Sequence, residues 1–154
     1  MASIDVLPAA WLTLFDGTRL DEKMDLSALL STVGDDGWPH ASFLGAGEVV
    51  VRNERRIGLL LWATSTTAGN IARTGRATLF AAAEGSVWEV RLEAGAGDHD
   101  GAGGALRFEA HVIGVRCHAA PYAQVTGMIG FHLLDPASTV VRWRAQIERL
   151  HRFG

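Results

Sequence analysis

Cysteine is almost missing from this 154-residue chain: Cys117 stands alone. An intrachain disulfide and any cysteine-cluster metal site are therefore excluded. Long apolar runs are missing too. The longest, around Ile57 to Ala63, falls far short of the roughly 20 residues a bilayer-crossing helix needs. Nor is there an excess of positive charge: 14 Lys plus Arg face 17 Asp plus Glu, a formal charge of −3. A protein held to nucleic acid through its phosphates normally carries a basic face, so neither nucleic acid nor membrane is an expected partner. No basic residue precedes the first apolar stretch, and Asp5 interrupts it, which does not read as a secretory leader. The expected compartment is the reducing cytoplasm. Internal repeats and heptads are absent.

What is present is globular composition, 48% hydrophobic and 20% charged. A chain of this size hides roughly 70% of its unfolded surface, enough for one core and one domain over residues 1–154. Glycine, at 18 residues, exceeds the usual share of about 7% and marks many tight connections. Leu7 to Phe15 predicts a short helix stopped by Asp16-Gly17. Leu26 to Val33 and Trp38 to Leu44 flank the turn Gly34-Asp35-Asp36-Gly37 and predict a hairpin. Glu48 to Arg52 and Arg56 to Trp62 predict a second.

Ser65-Thr66-Thr67 then offers N-cap hydroxyls to a helix that Gly75 ends, and Arg76 to Ala83 resumes as strand. Val87 to Glu93 alternates, with Trp88, Val90 and Leu92 on one face; Leu106, Phe108, Ala110 and Val112 repeat the pattern. The glycine-rich segment Ala94 to Gly104 between them reads as a flexible hairpin tip, mobile from Gly95 to Gly104. Pro121 to Thr126 predicts a turn of helix and Met128 to Leu134 another strand. Asp135-Pro136 starts a final helix, on which Val140, Trp143, Ile147 and Leu150 share a face. Hairpins rather than helical crossovers make this a mainly β chain with an antiparallel, closed or nearly closed barrel and peripheral helices. The barrel spans about 25–134 and the last helix about 136–150.

Leu30-Ser31-Thr32, Asp36 to Ser42, the strand ending at Trp62, Ser65-Thr66-Thr67, Asn70-Ile71 and Arg76 to Leu79 form an ordered set. Taken together they resemble the pyridoxamine-phosphate-oxidase-like family of FMN-binding split β-barrels. The resemblance implies a six-stranded split barrel, a homodimer with FMN at the subunit interface, and flavin-dependent oxidoreductase chemistry on a small-molecule substrate. It places Ser42, Phe43 and Leu44 beside the ring and ribityl chain, and Leu61, Trp62 and Ala63 along the ring. Ser65, Thr66 and Thr67 fall on the phosphate loop, followed by Asn70. Thr66 and Thr67 stand where the family carries cations, and Ser42 where it carries an Arg. Hydroxyls, N–H groups and a helix N-terminus can hold phosphate without a cation, but each lost charge-assisted bond weakens the site. A non-enzymatic module for flavin or another planar ligand, or a deazaflavin- or haem-binding member of the fold, are the alternatives.

Other candidates weigh less. Ser65-Thr66-Thr67 serves equally as a plain helix cap, and Trp62 as plain core. Arg52, Arg55 and Arg56 read as a solvated hairpin. None of the six His residues has the i, i+4 spacing of a helical metal pair, and no metal is expected; His40, beside the candidate strand, is the one to watch. Asp98-His99-Asp100 reads as a soluble tip, and Cys117 lacks a nucleophile signature. No residue stands out as a catalytic acid, base or nucleophile. Trp88, Phe108 and Trp143 fit either a dimer interface or the core.

Overall fold

The computed structural model describes residues 5–99 and 104–152. The first helix, α1 (Ala9–Leu14), begins after Pro8, whose extended backbone makes it the N-cap rather than a member of the first turn. After a 3-10 turn at Leu20–Glu22 come β1 (Ser27–Val33), β2 (Pro39–Gly45), β3 (Val49–Asn53) and β4 (Arg56–Trp62). Helix α2 (Thr66–Thr74) separates these from β5 (Arg76–Ala83), β6 (Ser86–Ala94), β7 (Asp98–His99) and β8 (Ala105–His118). The chain ends on α3 (Pro136–His151), capped by Asp135 with Pro136 at its start.

The strands form one antiparallel sheet, ordered β2-β1-β5-β6-β8-β4-β3 with β7 beside β8. It curls into a half-barrel, the split-barrel fold. Its described strands number eight, two more than the resemblance implies. Alternation sends one face inward: Ala28, Leu30, Leu44, Leu59, Leu61, Leu79, Val90, Leu92 and Phe108 meet Trp11, Phe15, Ala68 and Ile71 in the main core. β8 keeps this phase across its length only because its pairing with β6 shifts between Gly114 and Val112. That bulge turns both Val112 and Val115 inward.

Helix α3 packs on the opposite, outer face of β3 and β4. Val140, Trp143, Ile147 and Leu150 join Ala46, Val50, Leu60 and Ala105 in a second core. Trp143 lies so close to the β2–β3 turn that a Cβ on Gly47 would sit 2.0 Å from its Cγ. Phe108 and Trp143 are thus core residues of the single chain, not interface anchors; Trp88 is half-buried and donates its indole N–H to the Ala83 carbonyl at 3.2 Å. Within the same turn, Glu48 accepts the Gly45 N–H at 3.1 Å. Burial pushes the Glu48 carboxyl above its ordinary range, against the pull of that N–H and of Arg142.

Two expectations fail after β8. Pro121 to Thr126 makes no helical turn; a bridge between Ala120 and Ala123 closes a tight turn instead. Met128 to Leu134 is not a strand, so the barrel strands end at His118 and not near 134. The reason is tertiary. This segment reaches β1 only at Ser27, where β2 is paired on one side and the β5 pairing, confined to Leu29 to Ser31, has not begun on the other, and it forms no ladder there. It is tied instead through Ser27, whose hydroxyl donates to the Ile129 carbonyl at 2.6 Å, and through Val125 N–H to Gly85 at 2.7 Å. At the hairpin tip, Asp98 pairs with the buried Arg107 and Gly95 N–H bonds Glu109, so the stem is hydrogen-bonded as far as His99. The rest of the expected mobile tip, residues 100–103, lies outside the described residues.

Candidate functional site

Helix α2 sits in the open mouth of the half-barrel, and its sequence explains the placement. Ser65 caps it by accepting the Ala68 N–H at 3.1 Å, and Gly75 ends it in the left-handed conformation, φ +68°. Ala68 and Ile71 enter the main core. Alongside them, polar side chains dock the helix onto β1 and β2. Thr67 donates its hydroxyl to Ser42 at 3.0 Å, and Asn70 donates to the Thr32 hydroxyl at 3.0 Å. Arg73 bonds the Val33 carbonyl and reaches Asn70 Oδ1 at 3.2 Å. Thr32, Thr67 and Asn70 are all buried, so these bonds satisfy groups that water cannot.

The expected site residues therefore divide. Ser42 and Thr67 come together across 25 residues of sequence, and with Asn70 they form a polar latch. Leu44 and Leu61 are buried in the core and form the floor beneath it. Phe43 and Trp62 face outward, 47% and 54% exposed; Trp62 is therefore not plain core. Phe43 adjoins Ser42 in β2, while the Trp62 carbonyl accepts the Ser65 hydroxyl at 2.7 Å. Trp62 thus stands three residues before the cap of α2, whereas Phe43, next to Ser42 in β2, projects from the opposite face of that strand. Ala63 and Ser65 are half-buried and Thr66 is exposed. With the Ala68 and Gly69 N–H groups bound by Ser65, helix geometry leaves those of Thr66 and Thr67 without intrahelical partners.

Sequence reasoning missed the roles of Thr32 and Arg73. The signal for Thr32 was its phase: it follows Ala28 and Leu30 on the inward face, a hydroxyl at a core position. Of the remaining cations considered, Arg52 pairs with Glu109 and bonds the Leu150 carbonyl at 2.7 Å, and Arg56 also reaches Glu109. Both serve the far end of β4, six residues or roughly 20 Å from Trp62. No group of His, Cys, Asp and Glu suited to a metal occurs among the described residues. A cleft of about 720 Å³ lies elsewhere, between Ser27 and Leu26 at the start of β1, the Ala83 to Gly85 turn and Met128 to Phe131. It shares none of the expected site residues. The exposed aromatic pair and the latch, not cleft size, mark the candidate site.

Known proteins place this geometry in context. The chain is 34% identical over 141 residues to the uncharacterised protein YclD of Bacillus subtilis, covering 90% of this chain and 92% of YclD. No family model matches. Among solved structures, a candidate pyridoxamine 5'-phosphate oxidase from Lactobacillus delbrueckii superposes with a TM-score of 0.57 at 19% identity, covering 75% of this chain and 99% of that one. An FMN-binding protein from Syntrophomonas wolfei gives 0.52 at 14% identity, covering 72% and 93%. An F420 reductase gives 0.53 at 12% identity, covering 71% and 98%. At these identities the structural likeness establishes the fold.

Proposed function

The chain belongs to the family of Bacillus subtilis YclD and has the pyridoxamine-phosphate-oxidase-like split-barrel fold; from that premise we propose that it binds a flavin, FMN, at the turn into α2. The observation that carries this reading is a helix N-terminus that the latch fixes to β2, with the exposed Trp62 three residues before its cap and the exposed Phe43 on the outer face of the strand that the latch grips. Exposed aromatic surface beside fixed backbone donors suits a planar ring with a polar tail.

When bound, a flavin supplies hydride and electron transfer through its own ring. The chain's residues do the rest. Phe43 and Trp62 offer apolar surface to the ring, Thr66 and the free N–H groups of Thr66 and Thr67 face its tail, and the latch keeps α2 from shifting. In this reading two copies cover the ring and exclude water. The outer face of β1, β2 and β5 offers the surface: Phe43, Leu29 and Phe80 stand in one cross-strand row, Phe43 exposed and the other two partly so. The lone Cys117 and the absence of a helix long and apolar enough to cross a membrane among the described residues suit a cytoplasmic place.

The test is to incubate the purified protein with FMN, desalt it, and record the absorption spectrum and flavin fluorescence. A retained yellow chromophore with quenched fluorescence supports the proposal; no retention and no quenching at any protein concentration contradicts it. Oxidation of NADH or NADPH by the loaded protein separates an oxidoreductase from a binding module.

A further inference from the structure

We infer that this site does not recognise the flavin phosphate: it holds the ring and the polyol tail, and takes riboflavin nearly as well as FMN. The inference rests on the flavin reading above and concerns what the loop can distinguish. Two of the positions where the resemblance expects phosphate-binding cations are Ser42 and Thr67, and their side chains bond each other at 3.0 Å. Thr67 is 2% exposed. Its hydroxyl donates to Ser42 and so faces the protein rather than a ligand. The third such position, Thr66, is exposed and neutral.

The one basic side chain on α2, Arg73, lies six residues beyond Thr67, about 9 Å along the helix axis. It is spent on the Val33 carbonyl and on Asn70. The latch thus satisfies internally the groups that would otherwise meet a dianion. What remains for an anion is the N-terminus of α2 with two N–H groups. An exposed helix end favours an anion by only about two- to fivefold, whereas a lysine or arginine placed on the phosphate adds a charge-assisted bond of roughly twice the neutral strength.

The test compares dissociation constants for FMN and riboflavin by fluorescence quenching, at low and high salt. The expected result is a preference for FMN below about fivefold that shrinks as salt screens the helix end. A preference of tenfold or more would overturn the inference. Binding of neither ligand overturns the flavin reading beneath it, a separate and recognisable failure. The Thr66→Lys variant gives the second reading, at an exposed position that tolerates the change. It should tighten FMN by about tenfold, the worth of one such bond, and leave riboflavin unmoved. Equal effects on both ligands, or none on either, would place the tail away from this loop and overturn the inference.

Discussion

Helices α2 and α3 are held to the same sheet by opposite means. α3 lies on the outer face, seated by Val140, Trp143, Ile147 and Leu150, with Trp143 pressed on Gly45 and Gly47. α2 lies in the mouth of the half-barrel with only Ala68 and Ile71 in the core, and Thr67, Asn70 and Arg73 bonded to β1 and β2. An apolar seat stabilises through area and tolerates imprecise alignment. A polar latch contributes less net energy but fixes position, because each buried bond is costly to leave unmade. On the flavin reading proposed above, the contrast gives α3 to stability and α2 to placing the site.

The largest effect should come from α3. Replacing Trp143, 2% exposed, with Ala should cost about 3–5 kcal/mol in urea unfolding without changing flavin affinity in the protein that remains folded. A loss of affinity at unchanged stability would break the division between the helices.

On α2, Asn70→Ala leaves the Thr32 hydroxyl and Arg73 short of a buried partner, and should cost about 1–3 kcal/mol. Flavin affinity should fall with it, because α2 loses its registration on β1. Loss of stability with unchanged affinity would reduce the latch to a structural device.

A smaller, pH-dependent effect separates the helix seats further. Glu48, in the turn under α3, has its carboxyl raised by burial in the folded state. The folded protein therefore holds this proton more tightly than the unfolded chain, and Glu48 costs stability as pH climbs from 4.5 through the raised value. Glu48→Gln keeps an acceptor for the Gly45 N–H and removes that charge. Thermal melts should show the variant gaining on wild type as pH rises through this window; a constant difference would remove Glu48 as the cause. Asp16 has the opposite sign. Burial raises its carboxyl, but Lys23 and Thr18 together hold it below the ordinary value, so its contribution is present above pH 3.8 and is lost as pH falls.

The two regions also differ in how far the sequence disclosed them. The face Val140, Trp143, Ile147 and Leu150 is a local periodicity, and Asp135-Pro136 is a local start signal, so α3 was legible in full. Strand β5 was legible to its end residues for the same reason. The latch was not. Ser42 lies 25 residues from Thr67 and Thr32 lies 38 from Asn70, and a single sequence does not say that such hydroxyls meet. It named Ser42, Thr67 and Asn70 as site residues while leaving open that they bond within the protein. The strand expected over Met128 to Leu134 failed on the same ground, since apolar residues there cannot reveal that this part of the chain meets the sheet through single bonds at Ser27 and Gly85 rather than along a strand edge.

The most direct measurement of the whole account is amide hydrogen exchange with and without FMN. The account predicts new protection in residues 40–44 and 62–70, where β2 meets the start of α2, and unchanged exchange in α3. Protection confined to α3, to the cleft formed by Met128 to Phe131, or to no segment at all would contradict it.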